Sequence, residues 1–417
     1  MCVDGDHVGI NVGLSVSRRF LLLASLIVVV LFSSLVICLF MNSSTETLND
    51  ALYVKNENEL KNAINNAPIG KPTTIALDND ITLASYNQTA AGFGSTLIIP
   101  ADKDIILTSN KSNGFYKLIS VVDTRVIIVE TGGALQLDGI IVTHKSGITG
   151  CGVYIMAGGV LFLYSGEISG NTVNSPFTGG GVFNAGTFVM SGGKISNNKA
   201  VEGGGVCNDG NAQHSGTFIM SGGEISNNNV DSAGGGVYNS YYSEFTLSGG
   251  KISGNVANIG GGVSIKYPSE FSMLGGEISG NRAFTQGGGV YSPNSSPFVM
   301  SGGTISGNSA EEGGGVYVYG EFFDRRAGVI SGNTATKGDN DVYLISGNSG
   351  GAFDGGDGFS NGGNSSGSFM EGGFSLREVV LVCVAVGGLV VGVVVAVLFF
   401  TYKKELEFRT KRFARIN

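Results

Sequence analysis

The chain has 417 residues, yet it contains no tryptophan, only three histidines and five cysteines, and just 14% of its residues are charged. Each scarcity removes a class of function. His7, His144 and His214 are far apart in sequence, so no histidine pair assembles a metal or general-base site locally. Net charge is −8, and the last sixteen residues, from Tyr402, hold six basic and two acidic side chains; the remainder therefore carries −8 − 4 = −12. A nucleic-acid partner is excluded on that balance. No segment of the chain's middle has sustained apolar spacing at i, i+3, i+4 and i+7, which removes helical repeats. The 69 glycines lack a three-residue period, which removes collagen.

What the chain has instead is repetition. Gly-Gly-Gly-Val occurs six times between Gly179 and Val316. Ile-Ser-(Gly/Asn)-Asn begins at Ile168, Ile195, Ile225, Ile252, Ile278, Ile305 and Ile330, with gaps of 27, 30, 27, 26, 27 and 25 residues. A period of that length marks one supersecondary unit stacked on copies of itself. Short alternating runs such as Gly186-Thr-Phe-Val-Met190, broken by Gly, Ser and Asn, predict strands and bends. The expected fold is all-β: a right-handed parallel β-helix solenoid of about eleven rungs, each near 27 residues and about 4.8 Å above the last.

Stacking the units generates columns. Phe162, Phe188, Phe218, Phe245, Phe271 and Phe298 are expected in one inward column, with Tyr164, Met190, Met220, Leu247, Met273 and Met300 two residues on. Asn171, Asn198, Asn228, Asn255, Asn281, Asn308 and Asn333 form a third, read as a left-handed bend with an amide ladder rather than a polar ligand site. Before each Ile stand Glu167, Lys194, Glu224, Lys251 and Glu277, then Thr304 and Val329. This alternation pairs opposite charges across rungs and penalises slippage, as a structural ladder does and a catalytic carboxylate row does not. Beside each inward Val an outward residue is expected: Tyr154, Phe183, Cys207, Tyr238, Ser264, Tyr291 and Tyr317. Exposed aromatics there would support one another or stack on sugar rings.

Two uncharged 22-residue runs, Phe20–Met41 and Val379–Phe400, are each long enough to cross a bilayer. Arg18-Arg19 and the basic tail set both ends in the cytoplasm and everything between outside. The expected organisation is a cytoplasmic leader (1–19), a signal peptide or uncleaved signal anchor (20–41), a cap with irregular rungs (44–149), regular rungs (150–345), a Gly/Ser/Asn linker (346–377), a transmembrane helix (378–401) and a cytoplasmic tail (402–417). Within the cap, Asn56–Ala67 reads as a helix with a capping-box-like pair, Asn56 and Glu59, plugging the first rung. Cys2, Cys38 and Cys383 lie in or near the apolar ends; Cys151 and Cys207 align two rungs apart, about 9–10 Å, and are expected as free thiols. Asn42, Asn87, Asn110, Asn294 and Asn364 head glycosylation sequons.

Units such as Ile305-Ser-Gly-Asn-Ser-Ala-Glu-Glu-Gly-Gly-Gly-Val-Tyr317 resemble the repeats of polymorphic outer membrane proteins. Ile stands here for that family's Phe, and a third Gly is usual. The resemblance spans about 150–333 and implies a pectin-lyase-like β-helix serving as a cell-surface adhesin. The family's closing barrel has no counterpart after Asn333; one apolar helix and a basic tail follow, an arrangement that looks more like the adhesin-like surface proteins of archaea or other cells with a single accessible membrane. β-Helices also host polysaccharide lyases and hydrolases, whose chemistry needs clustered carboxylates. Here Asp78 and Asp80 are the closest pair of the body, Asp123 and Asp138 stand singly, and Asp324, Arg325 and Arg326 sit where the last rung decays, as a polar cap. No catalytic, cofactor or metal residues are expected. The expected partner is an extracellular protein or carbohydrate, and a passive envelope spacer is the third possibility.

Overall fold

The computed structural model describes residues 51–84, 95–293, 296–320 and 323–345. They form a parallel β-solenoid of the right-handed type with about 10 turns, one fewer than expected. The count follows from the ten-stranded sheet that crosses every turn once, from Leu97–Ile99 to Val342–Ile345. A second sheet carries the Phe and Ile columns, and a third, of six short strands, flanks the Asn column. Both apolar runs at the chain's ends lie outside the described residues; among the described residues no helix is long and apolar enough to cross a membrane.

The helix forms at Glu57–Asn66 with Asn56 as N-cap, whose side chain accepts from the Glu59 N–H. The Glu59 carboxylate returns to the Lys55 N–H at 2.8 Å, a capping box displaced by one residue. Leu60 and Ile64 are buried in the main core, so the helix packs onto the first turn. The short apolar runs of the irregular rungs, Thr74–Leu77, Leu97–Pro100, Asp104–Thr108, Thr124–Glu130 and Ala134–Thr143, form strands at Pro72–Leu77, Leu97–Ile99, Asp104–Ser109, Ile127–Val129 and Ala134–His144. Leu52–Val54, Ile81–Leu83 and Tyr116–Ser120 add three strands that the sequence pattern did not mark.

The Phe column is real. Phe188, Phe218, Phe245, Phe271 and Phe298 are buried, with successive ring centroids 4.7, 4.7, 4.8 and 4.9 Å apart. Phe323 extends it at 5.0 Å. Phe162 and Tyr164 do not belong. Leu161 pairs with Phe188 and Leu163 with Met190, so Phe162 and Tyr164 point outward and lie half-buried. The spacing of two was right but its phase was not: the strand Val160–Ser169 offers two alternating apolar sets, and the aliphatic one went inward. Arg325 does align with Met300, and Asp324 pairs with Arg326 at 2.7 Å.

The charge column pairs in the expected register, Glu167–Lys194–Glu224–Lys251–Glu277. Close ion pairs form at Lys194–Glu224 (3.6 Å) and Lys251–Glu277 (3.0 Å). Hydrogen bonds from Ser279 and Lys251 hold the Glu277 carboxyl below its ordinary range.

The Asn column is a continuous buried ladder. Each Oδ1 accepts from both the backbone N–H and the Nδ2 of the Asn one rung earlier, at 2.9–3.0 Å. The left-handed residue is not the ladder Asn but the one before it: Gly170, Asn197, Asn227, Gly254, Gly280, Gly307 and Gly332. The bend thus aims the next side chain inward instead of bending at it. His144 heads the ladder, with Nδ1 2.7 Å from Asn171 Oδ1 and Nε2 2.7 Å from the Thr124 carbonyl. Asp341 ends it, accepting from the N–H and Nδ2 of Asn333.

Candidate functional site

The outward column beside the inward valines is not an exposed aromatic face. Tyr238 and Tyr317 are 5% and 4% exposed, and Cys207 and Ser264 are buried as well. The cause is the chain leading into Gly-Gly-Gly-Val, which folds back over the residue after Val. The first Gly of each triplet, at positive φ, lies directly on it; a Cβ built on Gly234 would meet Tyr238 Cα at 2.7 Å. Burial raises the Tyr238 hydroxyl to about 12.

Cover is incomplete over the first two members. There Tyr154 and Phe183 line a cavity of about 550 Å³ with Asp123, Arg125, Phe177 and Thr178. Tyr154 has the Arg125 guanidinium 4.4 Å from one face and Phe183 stacked at 4.9 Å on the other. That aromatic therefore has no free face for a sugar ring.

A second depression, about 520 Å³, opens beside the long turn 210–216 between the ten-stranded sheet and the Phe column. Its walls come from successive rungs: His214 in one turn, Tyr242 and Glu244 in the next, Tyr267 and Glu270 in the third. A second amide ladder, unmarked by the sequence reading, fixes the base of these turns. Asn184 donates to Asn208 Oδ1 and Asn208 to Asn239 Oδ1, both at 2.7 Å. Asn208 Nδ2 also reaches the Glu244 carbonyl, and Asn239 Nδ2 the Glu270 carbonyl. Its signal was legible as Val-x-Asn at Val182–Asn184, Val206–Asn208 and Val237–Asn239. Ser215 Oγ donates to the Tyr242 carbonyl and the Tyr242 N–H to the Pro268 carbonyl, tying neighbouring turns together.

On this braced base the tyrosines stand out. Tyr241, Tyr242 and Tyr267 are 45%, 50% and 58% exposed. Tyr241 and Tyr242 both adopt positive φ, 40° and 54°, a conformation that bulky residues keep only where surrounding structure enforces it, and one that clusters at functional sites. Lys266 Nζ sits 4.4 Å over the Tyr241 ring. Tyr242 and Tyr267 have no aromatic or cationic ring partner among the described residues, and about half of each side chain is accessible to a ligand.

The acidic residues weighed for catalysis are dispersed and employed. Asp78 accepts from Asn110, Asp80 from the Lys117 N–H, Asp123 from Thr149, and Asp138 from Ser165. Among the described residues no three His, Cys, Asp or Glu side chains gather with metal-binding geometry. Cys151 and Cys207 are free and buried, and burial pushes the Cys151 thiol to about 12. No family model, no curated protein and no solved structure matches this chain.

Proposed function

We propose that this chain is a membrane-anchored extracellular adhesin-like protein whose β-solenoid presents a glycan-binding groove away from the bilayer. The observation that carries the reading is the groove at Tyr242 and Tyr267. Two open tyrosine faces stand over a floor of hydrogen-bonding side chains and are held by buried amide ladders. Rigid aromatic planes flanked by polar groups suit sugar rings, which offer an apolar face and a hydroxyl rim. The two apolar runs of the sequence supply the anchor, and the Gly/Ser/Asn segment 346–377 the tether. The test is a glycan array probed with full-length protein in detergent, wild type against Tyr242→Ser/Tyr267→Ser. Both residues are exposed, so the fold survives, and the double variant is expected to lose binding. Equal binding by the variant overturns the reading.

A second reading, polysaccharide hydrolysis, draws on Glu244 and Glu270, which pair in register one rung apart. Retaining glycosidases use two carboxyl groups about 5–5.5 Å apart. Release of reducing ends by the wild type, abolished in Glu244→Gln, would select it.

A further inference from the structure

Glu244 and Glu270 break a rule that the rest of the rod obeys. Five rungs of the charge column alternate sign, and no two carboxylates stand next to each other there. Along the outer row Thr217–Glu244–Glu270, by contrast, two acidic side chains pair directly across adjacent rungs of a parallel sheet. Like charges so placed are destabilising. Both residues are exposed and could turn to solvent, but they line the same groove as Tyr242 and Tyr267. Desolvation there and the neighbouring charge of Glu270 raise the Glu244 carboxyl above its ordinary range.

Neither carboxylate has an ion-pair partner among the described residues. The nearby cation, Lys266, is engaged elsewhere: its ammonium lies 4.4 Å from the centre of the Tyr241 ring, and the neighbouring Tyr241 and Tyr238 hold its proton more tightly than usual. His214 is the one other titratable base on the lining. The groove thus combines paired, uncompensated negative charge with two open π faces, and both attract a cation.

We infer that the groove selects glycans bearing a free ammonium group, that is, de-N-acetylated amino sugars, over their neutral N-acetylated counterparts. The inference rests on the glycan-binding reading and deepens it. A ring stacked on Tyr242 or Tyr267 places an equatorial amine at the groove floor, where two carboxylates one rung apart accept from it. Acetylation removes the charge and two of the three donors, leaving the carboxylate pair unrelieved.

The experiment titrates full-length protein in detergent at near-neutral pH with a glucosamine tetramer, an N-acetylglucosamine tetramer and tetralysine. The glucosamine tetramer is expected to bind on the order of tenfold more tightly than its acetylated form at low salt. That preference should shrink at high salt and vanish in Glu244→Gln/Glu270→Gln. Equal affinity for the two sugars, or preference for the acetylated one, overturns the inference and leaves glycan binding standing. Binding of tetralysine with neither sugar overturns both, as does binding of none. Circular dichroism of each variant reports the fold independently of the ligand.

Discussion

Replacing Asn255 with alanine tests the ladder at its centre. Asn255 is fully buried. Its Oδ1 accepts from the N–H and Nδ2 of Asn228, each at 3.0 Å; its Nδ2 donates to the Ile225 carbonyl at 3.0 Å and to Asn281 Oδ1 at 2.9 Å. Alanine deletes all four bonds at once. Asn281 Oδ1 keeps the Asn255 N–H as a donor, Asn228 Nδ2 keeps the Ile195 carbonyl and the Ile225 carbonyl stays in its strand ladder, but the Asn228 N–H and one of its amide hydrogens are left buried without a partner. At about 1–3 kcal/mol per orphaned group, and allowing for partial relaxation, the loss should be about 2–5 kcal/mol. The control is Asn229→Ala, one residue from the ladder but exposed, which should change stability by no more than about 0.5 kcal/mol. Urea unfolding of full-length protein in detergent, followed by far-ultraviolet circular dichroism, gives both values. If Asn255→Ala falls within about 1 kcal/mol of wild type at an unchanged m-value, the ladder is decoration and the reasoning fails.

Lys194→Glu places a third carboxylate between Glu167 and Glu224. The loss should be about 1 kcal/mol, because the wild-type pair is 40% exposed on both sides, and should fade as salt rises; a salt-independent loss contradicts the register argument. Gly234→Ala should cost well over the 1–2 kcal/mol of a left-handed alanine, because its Cβ runs into Tyr238. Gly280→Ala, at φ 63° with nothing within 4 Å, should cost that backbone term alone; equal losses in thermal melts would refute the covering role of the triplet. Tyr238→Ser should destabilise by about 3–5 kcal/mol as a buried aromatic truncation, and near-neutrality would contradict its burial. The raised Tyr238 hydroxyl favours the protonated form in the folded state, so its contribution is complete below pH 10 and lost as pH climbs toward about 12. Tyr238→Phe should flatten that alkaline limb of the stability profile.

The period was the legible part. Ile-Ser-(Gly/Asn)-Asn and Phe-x-(Met/Leu) fixed the rung length, the inward Phe stack and the charge register, because each is a column in which like meets like across one turn. Phase was less legible. At Val160–Ser169 every second residue is apolar on both faces, and only packing against Leu135 and Leu137 decides which set goes inward. The groove was the least visible. That Tyr238 is covered while Tyr242 is not depends on how the turns fold over the sheet, and periodicity carries no information about insertions that break it. The rung-to-rung length variation at 208–216 and 239–244 is legible in the sequence, but the strained tyrosines and the Glu244–Glu270 pair are not.

The amide ladder also makes the rod electrically polar. Every Nδ2 points toward the C-terminal end and every Oδ1 toward the N-terminal end, so seven side-chain dipoles add head to tail along the axis, whereas strand dipoles within a sheet sum to little. The negative end of this array falls on His144, a residue able to hold a positive charge, and the positive end on the Asp341 carboxylate. These are the ends a helix dipole would want capped in the same sense. An asparagine column inside a solenoid therefore acts as a one-dimensional analogue of a helix, with its own N- and C-terminal caps written in the sequence about 200 residues apart.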